Sequence, residues 1–258
     1  MGARLKTREF VPVTWERSPD YAVDIQRDQR GEFFELRWPE ALRGRLDFTV
    51  MQTEPRERHL LLLARKSGGE PPADRFLCGY DEREWFVAAV PGGASSVRQA
   101  MDALRPPVVR QELARRHVSW RKRYERKNRA FRRQGEWFFV PAPSLVVDAK
   151  FMLHQEPLRR GAGKPHWVEE LVRMGGETVH VCQAHPNGLT ESHYREVLQA
   201  NPVARSWNWR VMRRNPEVYA RGTVRHHDHD TITLPDWHRV VMNTETETRT
   251  MQNVAFLD

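Results

Sequence analysis

Residues 108–135 read VVRQELARRHVSWRKRYERKNRAFRRQG, and the fold expected for the whole chain turns on this stretch. Pro106-Pro107 precede it and suit a helix start, because proline at the first helical position gives up only an N–H without an intrahelical partner. At about 100° per residue, Val109, Leu113, Trp120, Tyr124 and Phe131 fall within an arc of about 60°. The spacing predicts one long amphipathic helix from 108 to about 131, with Gly135 placed to end it. The stripe lacks one apolar member, where Arg116 and His117 stand. On this reading Trp120, Tyr124 and Phe131 belong to the buried face.

The same stretch concentrates the charge of the protein. Between Arg110 and Arg133 there are eleven basic residues: Arg110, Arg115, Arg116, Arg121, Lys122, Arg123, Arg126, Lys127, Arg129, Arg132 and Arg133. Only Glu112 and Glu125 oppose them, so the window carries +9 in a chain of +8 and the other 234 residues sum to −1. Cations this dense repel one another unless a polyanion compensates them. Guanidinium forks match phosphate oxygens in bidentate fashion. Roughly 36 Å of helix would track a duplex bearing one charge per about 1.7 Å of axis. The expected function is binding of nucleic acid, RNA or DNA, by phosphate contacts from this helix. An adaptor docking an acidic protein partner is the alternative use of the same surface, and a solvated charged face is the plain structural reading.

Outward from the helix, both flanks read as β-rich. Upstream, Glu32–Trp38, Leu46–Gln52, Arg58–Arg65, Arg75–Tyr80 and Trp85–Val90 are strand-length apolar segments separated by turn signals, with residues 67–73 as a loop. No helix-length crossover separates them, so an antiparallel meander is expected. Ser95 or Ser96 can cap a short helix through Leu104. Downstream, strands are expected at Glu136–Val140, Leu145–Leu153, Glu177–Cys182, Ser206–Met212, Val218–Arg225, Thr231–Leu234 and His238–Asn243. Helices are expected at His166–Met174 and, capped by Thr190, at Glu191–Ala200, with a turn at 185–188. The fold class is therefore α+β: an antiparallel β-rich region 1–92, a helical basic segment 93–135, and a histidine-rich α+β region 136–258 ending in β-hairpins. No long linker separates these regions.

Histidine is the second signal, because nine of the eleven follow residue 150. The densest run is His226-His227-Asp228-His229-Asp230. Alternating imidazoles and carboxylates on one turn suit Zn²⁺, Mn²⁺ or Ni²⁺, with His226, His229 and Asp230 as ligands of a divalent metal ion. His226, Asp228 and His229 are the matching catalytic candidates, as ligands or as the base that activates water. The alternative function is accordingly a metal- or histidine-dependent nuclease. The bland counterpart is a polar turn in which Asp228 and Asp230 bond the backbone. His180-x-Cys182-x-x-His185 is a weaker candidate without an evident fourth ligand. The loop Arg159-Arg160-Gly161-Ala162-Gly163-Lys164 offers an auxiliary phosphate contact through Arg159, Arg160 and Lys164, although no Ser or Thr follows Lys164 as a P-loop requires.

No apolar run approaches the roughly 20 residues of a membrane helix. The first residues lack the apolar stretch of a signal peptide, and Cys78 and Cys182 are too few for a disulfide framework, so a reducing cytoplasm is the expected compartment.

Overall fold

The run Leu60-Leu61-Leu62-Leu63 gives a strand no polar face to turn toward water, so it has to be covered on both sides. In the computed structural model of the protein, which describes residues 2–11, 21–67, 73–160, 164–246 and 254–256, two layers do this. β1 (Arg4–Phe10), β2 (Ala22–Asp28) and β3 (Gly31–Pro39) form one sheet in the order β1-β3-β2, with β1 parallel to β3 and β2 antiparallel to it. β4 (Leu46–Glu54), β5 (His59–Lys66), β6 (Asp74–Asp81) and β7 (Glu84–Ala89) form the expected antiparallel meander. Alternation along the pleat divides the leucines. Leu62 and Cys78 pack with Phe34 and Leu36 of β3, whereas Leu61 and Leu77 pack with Val97, Ala100 and Leu104 around α1 (Val97–Ala103). Ser96 caps α1 by accepting the Gln99 N–H at 3.2 Å.

The long basic helix does not form. α2 (Pro107–Arg115) begins at the proline as expected but stops at Arg115, far short of Phe131. The cause lies in the missing member of the apolar stripe. His117 adopts a left-handed backbone with φ of 49°. Its N–H bonds the Ala114 carbonyl and the Val118 N–H bonds the Leu113 carbonyl, both at 3.0 Å. This is the double bond of a left-handed helix terminus. Closing the helix here swings Val118 into the buried cluster of Val109, Leu113, Ala130, Phe131 and Phe138, which a continuous helix would have denied it. The chain continues through one 3₁₀ turn, Lys122–Tyr124, and an Asn128 side chain that accepts the N–H groups of Ala130 and Phe131. Because an L-residue pays a steric penalty in the left-handed region and glycine does not, His117→Gly is expected to raise stability by about 0.5–1 kcal/mol. A urea midpoint that falls instead would show that the imidazole itself stabilises the turn.

The remaining chain contributes β8 (Arg132–Gln134), β9 (Trp137–Pro141), β10 (Leu153–Leu158), β11 (His166–Met174), β12 (Glu177–Cys182), β13 (His185–Leu189), α3 (Glu191–Ala200), β14 (Arg210–Arg214), β15 (Glu217–Arg225), β16 (Ile232–Met242) and β17 (Val254–Phe256). A six-stranded antiparallel sheet runs β10-β11-β15-β16-β9-β8, and a four-stranded one runs β13-β12-β14-β17. Phe139 points into the cluster of Val168, Leu171, Ala220, Val224 and Leu234, while its neighbours Phe138 and Val140 face α2 on the other side. Among the described residues no helix is long and apolar enough to cross a membrane.

Several expected elements change here. His166–Met174 is a strand, not a helix, and the register slips between Val168 and Glu170. Glu169 fills the slip by accepting the Thr223 N–H at 2.8 Å and its hydroxyl at 2.9 Å. That bulge places Val168 and Leu171 on one buried side, a three-residue interval that counterfeits helical spacing. Residues 185–188 lie in β13 rather than in a turn. Leu145–Leu153 is largely irregular, and Val146 is exposed. The two strands expected at 231–243 are one, β16, with a slip around Pro235 where Ala220 and Gly222 pair with His238 and Leu234. The chain closes not in a hairpin but with β17 beside β14. Of the expected 67–73 loop, residues 68–72 lie outside the described residues.

Candidate metal centre and basic surface

Shortening the helix redistributes its cations. Several of them meet the protein's own carboxylates. Arg115 and Arg116 both bond Glu112, at 2.8 and 2.9 Å. Arg126 pairs with Asp81 and Glu82, and Arg133 grips both oxygens of Asp81 at 3.1 and 3.2 Å. Burial pushes the Asp81 carboxyl up, but Arg133 and Arg126 outweigh it and hold the group below its ordinary value. Beyond the segment, Arg160 pairs with Glu245 at 2.5 Å, and Lys164 with Asp228 at 2.6 Å. Arg115, Arg116, Arg126, Arg133, Arg160 and Lys164, all named as candidate phosphate contacts, thus each face a carboxylate of the same chain. Arg159 is exposed, and residues 161–163 of that loop lie outside the described residues.

What stays outward is a smaller set. Arg110, Arg121, Lys122, Lys127 and Arg129 are exposed, and among the described residues no carboxylate pairs with them. Arg132 is half-buried on β8. Trp120, expected in the core, is 57% exposed. Its ring meets Tyr124 edge-on at 5.3 Å, and the Arg123 guanidinium lies 5.2 Å over it. Arg123 Nε is buried with no hydrogen-bond partner. Of the three aromatics placed on the buried face, only Phe131 is fully interior.

The histidine-rich turn 226–231 joins β15 to β16 and folds under the β8–β9 hairpin. His226 and His229 come together with His166, the first residue of β11, and one ligand nitrogen from each lies within 4.8 Å of the others. Their rings stack, His166 on His226 at 4.1 Å and His226 on His229 at 4.7 Å between centroids. His166 is 2% exposed. Burial first, then the neighbouring His226 and His229, push its pKa down to about 3, so the ring is neutral at physiological pH. Burial lowers His226 as well.

Two of the three rings are oriented from behind. His166 Nδ1 meets Gln134 Oε1 at 2.9 Å, and His229 Nδ1 meets Glu82 Oε2 at 3.2 Å. Both partners accept, so each ring donates from Nδ1 and leaves the lone pair on Nε2. Gln134 is itself fully buried and donates to the carbonyls of Val224 and Asp230 at 3.2 and 2.8 Å, which pins the turn against the hairpin. Glu82 also accepts the Asp230 N–H at 2.8 Å. Gly135 closes the hairpin with φ of +58°, and a Cβ there would stand 2.9 Å from His229 Nε2, so only glycine fits both the turn and the close approach. Glu136 Oε2 lies 3.8 Å from His166 Nε2. Gly135, Glu136 and His229 line a cleft of about 230 Å³ that Arg123 and Tyr124 line as well.

The turn residues thus divide in an unexpected way. Asp230 is not with the histidines; it is exposed and pairs with Arg83 at 2.7 Å. Asp228 is not a free base. Burial pushes it up, but Lys164, His227 and Glu84 prevail and hold it well below the carboxylate range, while Glu84 is pushed up by burial and then by Asp228. The residue missed is His166. Its signal was one of register: with β11 read as a strand, the pair Trp167–Arg225 sets His166 opposite His226. His180, Cys182 and His185 form no such group: His180 bonds Glu191 at 2.7 Å and His185 stacks on Trp209. No family model matches this chain, and no curated protein or solved structure matches it.

Proposed function

We propose that this protein binds single-stranded nucleic acid through the surface around Trp120. The observation that carries the reading is an exposed indole with the Arg123 guanidinium over its ring, followed in the chain by the exposed Arg121 and Lys122, which no carboxylate among the described residues pairs. At 57% exposure the indole presents a flat aromatic face to solvent. An aromatic face stacks on any unpaired base, at about 1–3 kcal/mol per base. Arg123 backs that ring with a guanidinium, and Arg121, Lys122, Lys127, Arg129 and Arg110 supply phosphate contacts without first breaking an internal pair. A duplex hides its base faces, which is why the indole favours an unpaired strand over a double helix.

Titration of a labelled oligothymidylate or oligouridylate across a salt series tests this. Five phosphate contacts on a single strand predict a log–log slope near −3.5, or roughly a hundredfold weaker binding between 50 and 200 mM salt. Trp120→Ala is expected to weaken binding by about tenfold or more at every salt concentration without changing the slope. Reversing Arg121, Lys122, Lys127 and Arg129 to Glu should abolish both affinity and slope. Binding that ignores salt, or that survives Trp120→Ala intact, overturns the proposal. Tighter binding of a polyglutamate peptide than of the oligonucleotide at equal salt overturns it in favour of an acidic protein partner.

A further inference from the structure

We infer that His166, His226 and His229 form a binding site for one divalent transition-metal ion of the zinc class, with Glu136 completing the coordination. The three imidazoles come from two distant parts of the chain. Stacking three imidazoles under a hairpin gains little by itself. A metal ion supplies the missing attraction.

The arrangement behind His166 and His229 matches the way ligating histidines are held, whereas His226 Nδ1 accepts the Asp228 N–H at 3.1 Å. A metal-bound imidazole donates its other N–H to a carboxylate or carbonyl, which fixes tautomer and orientation. Gln134 does this for His166 and Glu82 does it for His229, at 2.9 and 3.2 Å. Nitrogens bound to one tetrahedral zinc at about 2.0–2.1 Å stand roughly 3.4 Å apart. The 4.8 Å span therefore closes with a side-chain adjustment of about an ångström. Glu136 Oε2 is 3.8 Å from His166 Nε2, about 0.4 Å beyond that edge length, and a small side-chain shift would bring it to the ion. Neutral imidazoles with a single carboxylate select Zn²⁺, Co²⁺, Ni²⁺ or Cu²⁺ over the hard, oxygen-seeking Mg²⁺ and Ca²⁺. His229 opens on the cleft beside Gly135, which gives the ion a way in. The site stands independently of nucleic-acid binding.

The full-length protein, stripped with chelator and dialysed, tests the assignment. Titration with Zn²⁺ should give one ion per chain by elemental analysis, and Co²⁺ should develop the visible bands of a nitrogen-rich site of low coordination number. Mg²⁺ should not compete. His229→Ala should lose both signals, and Glu82→Gln should weaken zinc about 10- to 100-fold through the ring it orients. Glu136→Gln should weaken zinc as well. His185→Ala, in the other sheet, should bind as the parent does. His166→Ala is read only when circular dichroism shows it folded; His229, at the cleft edge, carries the test otherwise. Failure of the parent protein to retain zinc or to colour with cobalt overturns the site, as does undiminished binding by His229→Ala.

Discussion

Acidifying the metal-free protein from pH 6.5 toward 3 is expected to cost up to about 5 kcal/mol of stability through His166 alone. The sign follows from which state takes the proton. In the unfolded chain the imidazole binds a proton near its ordinary value of about 6.5. In the folded protein burial, followed by His226 and His229, holds it back until about pH 3. Between those two pH values the unfolded state carries more protons, so stability falls as the pH falls, by about 1.4 kcal/mol per pH unit, and levels off below the window. At neutral pH the ring is uncharged in both states and the effect is absent. His226, His59 and His238 are lowered by burial too and act in the same direction. His166→Gln isolates the first contribution, since the amide keeps a polar group for Gln134 but cannot titrate. Denaturant unfolding in chelator at pH 7 and pH 4.5 should show the parent losing stability faster than the variant. A gap between the two that is the same at both pH values would mean that His166 is not held neutral by its surroundings.

How much of this could be read from the residues alone differs from one element to the next, for reasons that are physical. The meander β4–β7 was legible because its strands are apolar and follow one another across short turns. α1 and α3 were legible because Ser96 and Thr190 announce them. β1 and β2 were not, since RLKTREF and AVDIQRD hold few large apolar residues and gain their place by pairing with β3 and by side chains such as Arg4 on Asp28. The basic helix failed where local spacing met tertiary demand. A stripe with one gap can continue as a helix, but the left-handed turn at His117 buries Val118 instead. β11 failed because a bulge imitates helical periodicity. The histidines show the same limit: His226 and His229 are adjacent on one turn and were visible, whereas His166 arrives from sixty residues away through strand register, which no local window contains. The cations were counted correctly as charges, yet counting cannot show that Asp81 and Glu82, on a distant hairpin, wait for Arg126 and Arg133.

That last pairing carries the other large expectation, which is that Asp81→Asn lowers stability by roughly 2–4 kcal/mol at pH 7. Asp81 is 9% exposed, at the end of β6, and it joins the meander to the basic segment through two guanidinium groups. Removing one member of a buried ion pair strands its partners, which costs about 3–5 kcal/mol when burial is complete. Arg126 is partly solvated, so screening and hydration bring the expectation down. The dependence on pH has the opposite origin from that of His166. The folded carboxyl sits below its ordinary value of 3.8, so its contribution is complete above that value and disappears as the pH falls through the lower folded one. Parent and variant should therefore converge only in acid, as the pH falls from 3.8 through the lower folded value. The substitution also reaches the binding surface. Arg133, released from its carboxylate, becomes a further phosphate contact while Arg126 keeps Glu82, and the salt slope for a single strand should steepen by about 0.7. A variant as stable as the parent, with an unchanged slope, would mean that these arginines do not depend on Asp81 and that the segment is held by its apolar cluster of Val109, Leu113, Val118 and Phe131 alone.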